Sequence, residues 1–515
     1  MDASIFTSTG ASCFRWLDGE WLSVNSFMVP TVGYLIWPYF APGITLAEPG
    51  DIVAAKYMAY QRFENNLNLV TPTINDRDEI VFIDHQYSEW SNLNIVTPDQ
   101  SLHRHIAFPR KLGREMVAPV LAVGDIAIAQ NDSVIMSITH EGEYIWDLPY
   151  HVLVGDDDFS SKANRSMTFD GAWLYFAVIE NHGTDFHLFR VPVARLADPS
   201  LTVSGVEWLS KTDLGLPPMQ VMASDLSSCL TGATSQLFFA TQILTTGVTT
   251  LFAIDNFTGT TTLDLDAGLN LVTEIAQDTI AGETVLVIGL TDGTTSQIRS
   301  FTTDLTPLWT LELDSPIGPT LCIGNDHRIF AITTSTTRSD SLISFRPFDG
   351  TELWTGTHTG VDWAFDLESV STATVFDGYS TLMADTVIVC AGHRTDASGF
   401  APDNSDLVAI SFNGAPHLLW AIESSHTFGR ACPRAIDNFL VAIGDTTWSS
   451  EDNLKRAPML LTIFTGAQTP AATWVGYRGN NNATASLFTT ADLLMPPTVR
   501  SRKKNTSLPG PPPMR

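Results

Sequence analysis

Three groups of residues in this 515-residue chain are of types that could do chemistry. Asp156, Asp157 and Asp158 follow Gly155, and adjacent carboxylates could hold a hard cation through oxygen. They lack the alternating ligand spacing of a calcium loop, so they read as a solvated acidic loop. His103 and His105 would put both rings on one face of a strand, yet no HExxH motif or cysteine pair supplies a third ligand. They read as surface residues. Cys13, Cys229, Cys322, Cys390 and Cys432 are odd in number and scattered, with no CxxC, and read as free thiols, several packed in strands. No GxSxG, phosphate loop or dinucleotide fingerprint is present. No catalytic, cofactor-binding or metal-binding residue can be named. A carboxylate pair of the kind glycosidases use, drawn from distant parts of the chain, leaves no mark in spacing.

The elements that would position any site follow from composition. Hydrophobic residues make up 44% and charged residues 16%, enough apolar material for a core, while 35 Gly and 28 Pro imply many turns. The formal charge of -28 opposes nucleic acid and anionic lipid as direct partners of the body. No stretch approaches the roughly 20 uninterrupted apolar residues of a membrane span. Met1 to Ser12 lacks the basic and apolar regions of a signal peptide, so the expected setting is cytoplasmic or within an assembly.

Internal repetition sets the fold class. Pro119–Pro149 holds two β-rich runs, a turn at Gly142 and Trp146 four residues later. Pro319–Thr355 repeats this with Asp349-Gly350 and Trp354. Degenerate copies place Trp309, Trp420 and Trp474 after their turns, Trp208 after a longer connection, and Leu263 where a Trp would stand. Hairpins fall near Pro98, Gly142, Pro199, Gly259, Leu305, Gly350, Gly414 and Gly466. Asp-Gly and Asn-Gly between apolar runs are strong hairpin signals, because glycine adopts positive φ without steric cost. Each hairpin would form the outer half of a four-stranded blade, with its Trp filling the widening gap to the next sheet. Two stacked sandwiches would also show short strands, but a shared hairpin-Trp grammar favours radial repetition, which avoids long open edges.

The segments "LISFRPFDGTELWT" and "VIMSITHEGEYIWD" resemble the PQQ-like repeat of quinoprotein propellers, over roughly Glu79 to Val475. The resemblance implies an all-β propeller of eight four-stranded blades. It also implies where a quinone would sit: on the axis, against a Trp and a disulfide between adjacent cysteines, with a calcium ion held by Glu, Asn and Asp. Adjacent cysteines are absent here, so no PQQ or other cofactor is expected.

Three parts are expected: residues 1–78, an aromatic-rich extension that packs on or closes the ring; the propeller over 79–490; and a tail over 491–515. In the tail Arg500, Arg502, Lys503 and Lys504 precede a proline run including Pro511, Pro512 and Pro513. These are candidate contacts to protein partners or sister subunits, because basic polyproline segments dock on aromatic or acidic surfaces. The expected function is a non-enzymatic scaffold within a larger assembly, a cellular complex or a virus particle. The alternative is a propeller enzyme, hydrolysing glycosides or oxidising with PQQ.

Overall fold

The computed structural model describes most of residues 73–350 with side chains, and strand backbones within 13–57 and 352–474. The chain is a β-propeller. Cys13–Leu17 and Glu20–Asn25 form a two-stranded ribbon, and the described residues make up eight further sheets of four to six strands. Each of the first three is a simple antiparallel run. The first sheet comprises Thr73–Ile74, Ile80–Gln86, Trp90–Val96 and His103–Ala107; the second Leu121–Val123, Ile126–Gln130, Val134–Thr139 and Tyr144–Pro149; the third Thr168–Phe169, Trp173–Glu180, Asp185–Pro192 and Glu207–Ser210.

In the fourth and fifth sheets the inner strand is split. Gln220–Met222 and Ser227–Thr231 both pair with Thr234–Ile243, and Asn270–Leu271 and Ala276–Ile280 both pair with Glu283–Thr291. Their outer strands are Gly259–Asp264 and Pro307–Leu313. The sixth sheet ends on Glu352–Thr357 and the seventh on His417–Ile422. The eighth is built on Phe439–Ser450 and Asn453–Phe464 and takes its outer strand, Ile52–Tyr57, from near the start of the chain. Inner strands of neighbouring sheets lie side by side, and Arg434–Ile436 of the eighth lies beside Thr73–Ile74 of the first. That contact closes the circle. Strand pairing therefore draws on residues on both sides of the expected boundary at residue 78.

Radial stacking explains the burial pattern. Ile126–Gln130 is buried at every position, since a sheet between two neighbours is covered on both faces. Ile126 and Ile128 face the third sheet's Phe169, Phe176 and Phe189, while Ala127 and Ala129 face the first sheet's Val81, Leu93 and Ile95. Outer strands are more open: Gly259–Asp264 is exposed at all but one position, and Pro307–Leu313 alternates between exposed and half-buried positions from Leu308 on. The core is thus a series of seams between sheets. Phe186 of the third sheet meets Phe239 of the fourth edge-on at 6.2 Å, and Phe239 stacks on Phe252 at 4.8 Å.

Four post-turn tryptophans share one backbone register. Trp146 pairs with Ser137, Trp309 with Ser300, Trp354 with Ser344 and Trp420 with Ala409, and the register shifts beside each small partner. A bulge adds local twist, which tilts the outer strand, and the small partner leaves space. Trp146 is 4% exposed. Its Nε1 donates to the Leu196 carbonyl at 2.7 Å, and Ser137 Oγ donates to the same oxygen at 2.9 Å. Leu196 belongs to the outer hairpin connection of the next sheet. The ring of Trp309 likewise lies where a Cβ on Gly350, in the next sheet's hairpin, would fall 2.6 Å from its Cε3.

Two expected equivalences are corrected by register. Leu263 pairs with Leu251, and the Trp-equivalent position of the fourth sheet is Thr261, opposite Ala253 with no bulge. Trp474 lies in Ala472–Trp474, which adds to the inner edge of the seventh sheet by pairing with Thr374–Asp377. Trp208 does stand on an outer strand, but opposite the large Phe189 and without a bulge, and it is 50% exposed.

Replacing Trp146 with alanine is expected to cost about 3–5 kcal/mol in denaturant unfolding, against about 1 kcal/mol or less for Trp208→Ala, because only Trp146 leaves a cavity. Equal losses would contradict the seam geometry. Gly350→Ala is expected to cost more than Gly124→Ala. Both glycines have positive φ, but a Cβ at Gly124 meets nothing within 4 Å.

Candidate functional site

The polar groups that converge in this fold lie along the inner strands. Thr168 Oγ1 of the third sheet meets Ser228 Oγ of the fourth at 2.9 Å, and Gln277 Nε2 of the fifth donates to Ser227 Oγ of the fourth. Adjacent residues of one strand, Ser227 and Ser228, thus face opposite seams, as strand alternation requires. A polar belt links three successive inner strands. Gln277 Oε1 is buried in it with no hydrogen-bond partner.

The split inner strands share one device. Ser224 Oγ accepts the Ala240 amide at 2.8 Å and donates to the Asp225 carbonyl at 2.8 Å. Thr273 Oγ1 accepts the Gly289 amide at 2.8 Å and donates to the Glu274 carbonyl at 2.9 Å. The hydroxyl replaces a missing ladder partner where the strand breaks. Ser224-Asp225-Leu226 and Thr273-Glu274-Ile275 are therefore a second internal repeat, visible in the sequence and separate from the Trp pattern of the outer strands.

Asp170 is a fully buried carboxyl. Its Oδ1 accepts the amides of Ala172 at 2.9 Å and Trp173 at 2.7 Å, and its Oδ2 accepts the Tyr175 hydroxyl at 3.1 Å. Burial raises its pKa above the ordinary carboxylate value, with these bonds opposing the rise. Burial, then the Asp170 charge, drives the Tyr175 hydroxyl upward as well. Both groups brace a turn. Asn75 plays the same part in the first sheet, its Oδ1 accepting the amides of Arg77 and Glu79 at 2.9 Å each. Its Nδ2 donates to Glu79 Oε2 at 2.9 Å and faces His140 Nδ1 at 2.7 Å. Since His140 Nε2 must donate to the Gly124 carbonyl at 2.9 Å, Nδ1 is the acceptor.

Between the third and fourth sheets Arg190 joins three partners. Its Nε and Nη2 reach Glu207 Oε2 at 2.9 and 2.6 Å, and its guanidinium lies 3.9 Å from the Trp173 ring centre and 4.9 Å from that of Phe257. Cys229, the free cysteine among the described residues, is buried, which pushes its thiol up to about 12 and leaves it unreactive. Among the described residues no cluster of three or more His, Cys, Asp or Glu could hold a metal ion, and no helix is long and apolar enough to cross a membrane.

His103 and His105 stand two residues apart in the outer strand of the first sheet, opposite Val96 and Asn94. Asp156–Asp158 and the tail residues Arg500, Arg502, Lys503, Lys504, Pro511, Pro512 and Pro513 lie outside the described residues.

Of the exposed large apolar side chains among the described residues, Tyr144, Trp208 and Leu308 stand near the starts of outer strands, and Val152, Met219 and Leu244 lie at the other end of the sheets. Val152 is 47% exposed in the short helix Tyr150–Val154 leading to the third sheet. Met219, 46% exposed, ends the connection to the fourth sheet, and Leu244, 53% exposed, follows that sheet's second strand. The Leu244 amide donates to the Met219 carbonyl at 3.1 Å, so these two are neighbours. Sheet-to-sheet links and second-to-third-strand turns share one end of an up-down blade, which puts all three residues on the same face of the ring.

No protein-family model matches the chain, and no curated protein sequence does. Among solved structures it is similar to the Dos1 propeller, with a TM-score of 0.45 and 10% identity over 80% of this chain and 95% of that one. It is also similar to the dihydro-heme d1 dehydrogenase NirN in complex with DHE, with a TM-score of 0.42 and 11% identity over 70% of this chain and 67% of that one. A third is the WD40 domain of SCAP from fission yeast, with a TM-score of 0.40 and 9% identity over 79% of this chain and 97% of that one.

Burial raises the folded-state pKa of Asp170 above its unfolded value, so the protonated form favours the fold. Its contribution is present at low pH and is lost as pH rises through the folded pKa. Asp170→Asn keeps the two amide bonds and carries no charge. Its unfolding free energy is expected to exceed that of the parent at neutral pH, with the difference shrinking on acidification. A difference independent of pH would refute this assignment.

Proposed function

We propose that this chain is a non-enzymatic eight-bladed propeller of PQQ-like repeats that serves as a scaffold for protein contacts within a larger assembly. The PQQ-like reading is supported by the four outer-strand tryptophans that share a small cross-strand partner and a bulge, at Trp146, Trp309, Trp354 and Trp420. The scaffold reading is carried by the exposed Val152, Met219 and Leu244 on one face. Apolar groups gathered on one face of a propeller are the kind of surface that a protein partner covers. In this reading residues 1–78 close the ring, 79–490 form it, and the basic, proline-rich tail over 491–515 is a second contact.

The test compares the parent chain with a variant carrying Val152→Ser, Met219→Ser and Leu244→Ser, each expressed in its own cells. The parent is expected to elute from native extracts in particles larger than the chain, with chemical crosslinks to its partner on residues 150–154, 211–219 and 243–248. The variant is expected to elute as the free chain with an unchanged melting temperature. Crosslinks confined to other surfaces, or identical elution of the two chains, would overturn the assignment.

A further inference from the structure

The end of the ring that carries Met219 and Leu244 is a connected surface from the third sheet to the sixth. The Leu244 amide donates to the Met219 carbonyl, joining the link 211–219 to the turn 243–248. Gln242 Nε2, at the base of that turn, donates to Asn270 Oδ1 in the link to the fifth sheet, and Thr249 Oγ1 donates to the Leu269 carbonyl at 3.2 Å. Asp266 of the same link pairs with Arg299 in Ser296–Thr302 of the fifth sheet. Ser296 Oγ in turn accepts the Ile317 amide at 2.7 Å, where the link to the sixth sheet ends.

Charge is ordered about the apolar pair. The links 211–219, 265–271 and 313–317 and the turns 243–248 and 291–296 hold four acids, Asp213, Asp266, Asp292 and Asp314, and one base, Lys211. All four acids are exposed. Lys211 is buried, its Nζ donating to the Pro218 carbonyl at 2.7 Å, and Arg299 is half-buried and bonded to Asp266. The cations are thus engaged within the surface while the acids face water. Asp213 stands on the third-sheet side of Met219 and Leu244, and the other three acids stand on the fifth-sheet side. Hydrogen bonds from Ser210 hold Asp213 below the ordinary carboxylate range, and the amides of Thr295 and Thr294 do the same for Asp292, so both are anions at neutral pH.

We infer that this surface receives a segment of a partner protein that has an apolar centre and lysine or arginine on both sides of it. The apolar pair supplies the burial, and the acids on either side of it select the sign of what lies beyond. An acidic segment, a nucleic acid strand or an anionic lipid surface would meet like charge at both ends. The inference rests on the scaffold reading and narrows its partner.

The test uses the purified full chain and a short fluorescent peptide with leucines at its centre and lysines at both ends, its binding followed by anisotropy. The comparisons are a peptide with glutamates in place of the lysines and one with serines in place of the leucines. The first peptide is expected to bind at least about tenfold more tightly than either, with an affinity that falls as salt rises. Met219→Ser with Leu244→Ser is expected to weaken it about tenfold or more, and so is the joint change Asp213→Asn, Asp266→Asn, Asp292→Asn and Asp314→Asn. Asp314→Lys alone, at an exposed position, is expected to weaken binding without shifting the melting temperature, which keeps the test decisive where the joint variant unfolds. Asp125→Asn, Glu141→Gln, Glu143→Gln and Asp304→Asn, at the other end of the sheets, are expected to leave binding unchanged. Equal binding of the three peptides, equal loss from acids at both ends, or a self-associated chain that the serine variant releases would each overturn the proposal. The elution and crosslinking test of the scaffold reading does not involve the peptide, so a chain that enters larger particles yet ignores the lysine peptide refutes this inference alone.

Discussion

The ring depends on what each outer hairpin presents to the sheet before it. In two seams a bulky outer-strand residue of the preceding sheet faces a glycine turn: Ile106 faces Gly142, and Trp309 faces Gly350. In two others the turn itself supplies the bulk. Phe257 in the fourth sheet's hairpin has φ 64° and Leu305 in the fifth's has φ 64°, and both are buried, at 5% and 4% exposure. A left-handed conformation in a bulky residue costs on the order of 1–2 kcal/mol, so each is held by its packing. Phe257 lies 6.2 Å from the Tyr175 ring and under Arg190 of the third sheet, and Leu305 enters the cluster containing Leu251 and Leu265 of the fourth. Size is conserved across the seam while its source changes sides.

The same requirement governs the polar groups. A seam formed from both faces of every inner strand buries side chains that would otherwise face water, so hydroxyls and amides there must find partners in the adjacent sheet or in their own backbone. Thr168 with Ser228 and Gln277 with Ser227 meet the first need; Ser224 and Thr273 meet the second at the strand breaks. Buried carboxyl groups such as Asp170 are engaged by amides and a hydroxyl, which makes them turn braces rather than reactive groups.

The fold was legible where one residue decides the geometry. Glycine followed four residues later by Trp marks a hairpin and its docking side chain together, as at Gly142 and Trp146. Spacing says less where register depends on the facing strand: Trp208, after a longer connection, lies opposite the large Phe189 and is exposed, and Leu263 lies two residues beyond the position opposite Ala253 in a pairing with no bulge. Trp474 was misplaced because the outer strand of the eighth sheet comes from Ile52–Tyr57, a pairing across some four hundred residues that local pattern cannot reveal. The polar belt went unread for a related reason. Serine and threonine are common in this chain, and only a hydrogen bond to the second strand distinguishes Ser224 and Thr273 from the rest.

Trp208 shows how such a ring acquires a surface. In the second sheet the indole is needed inside the seam, where Trp146 and Ser137 share the Leu196 carbonyl. In the third sheet the seam is occupied by Phe257, Arg190 and Trp173, with Arg190 anchored by Glu207, the residue beside Trp208. The cation-aromatic sandwich does the work that a docked indole does elsewhere, and the outer-strand Trp is released to solvent. A repeat can therefore lose its internal role at one position without loss of the ring, because an equivalent volume enters from the next hairpin. Positions freed in this way are exposed, apolar and fixed on a rigid sheet, which is what a surface for protein contacts requires.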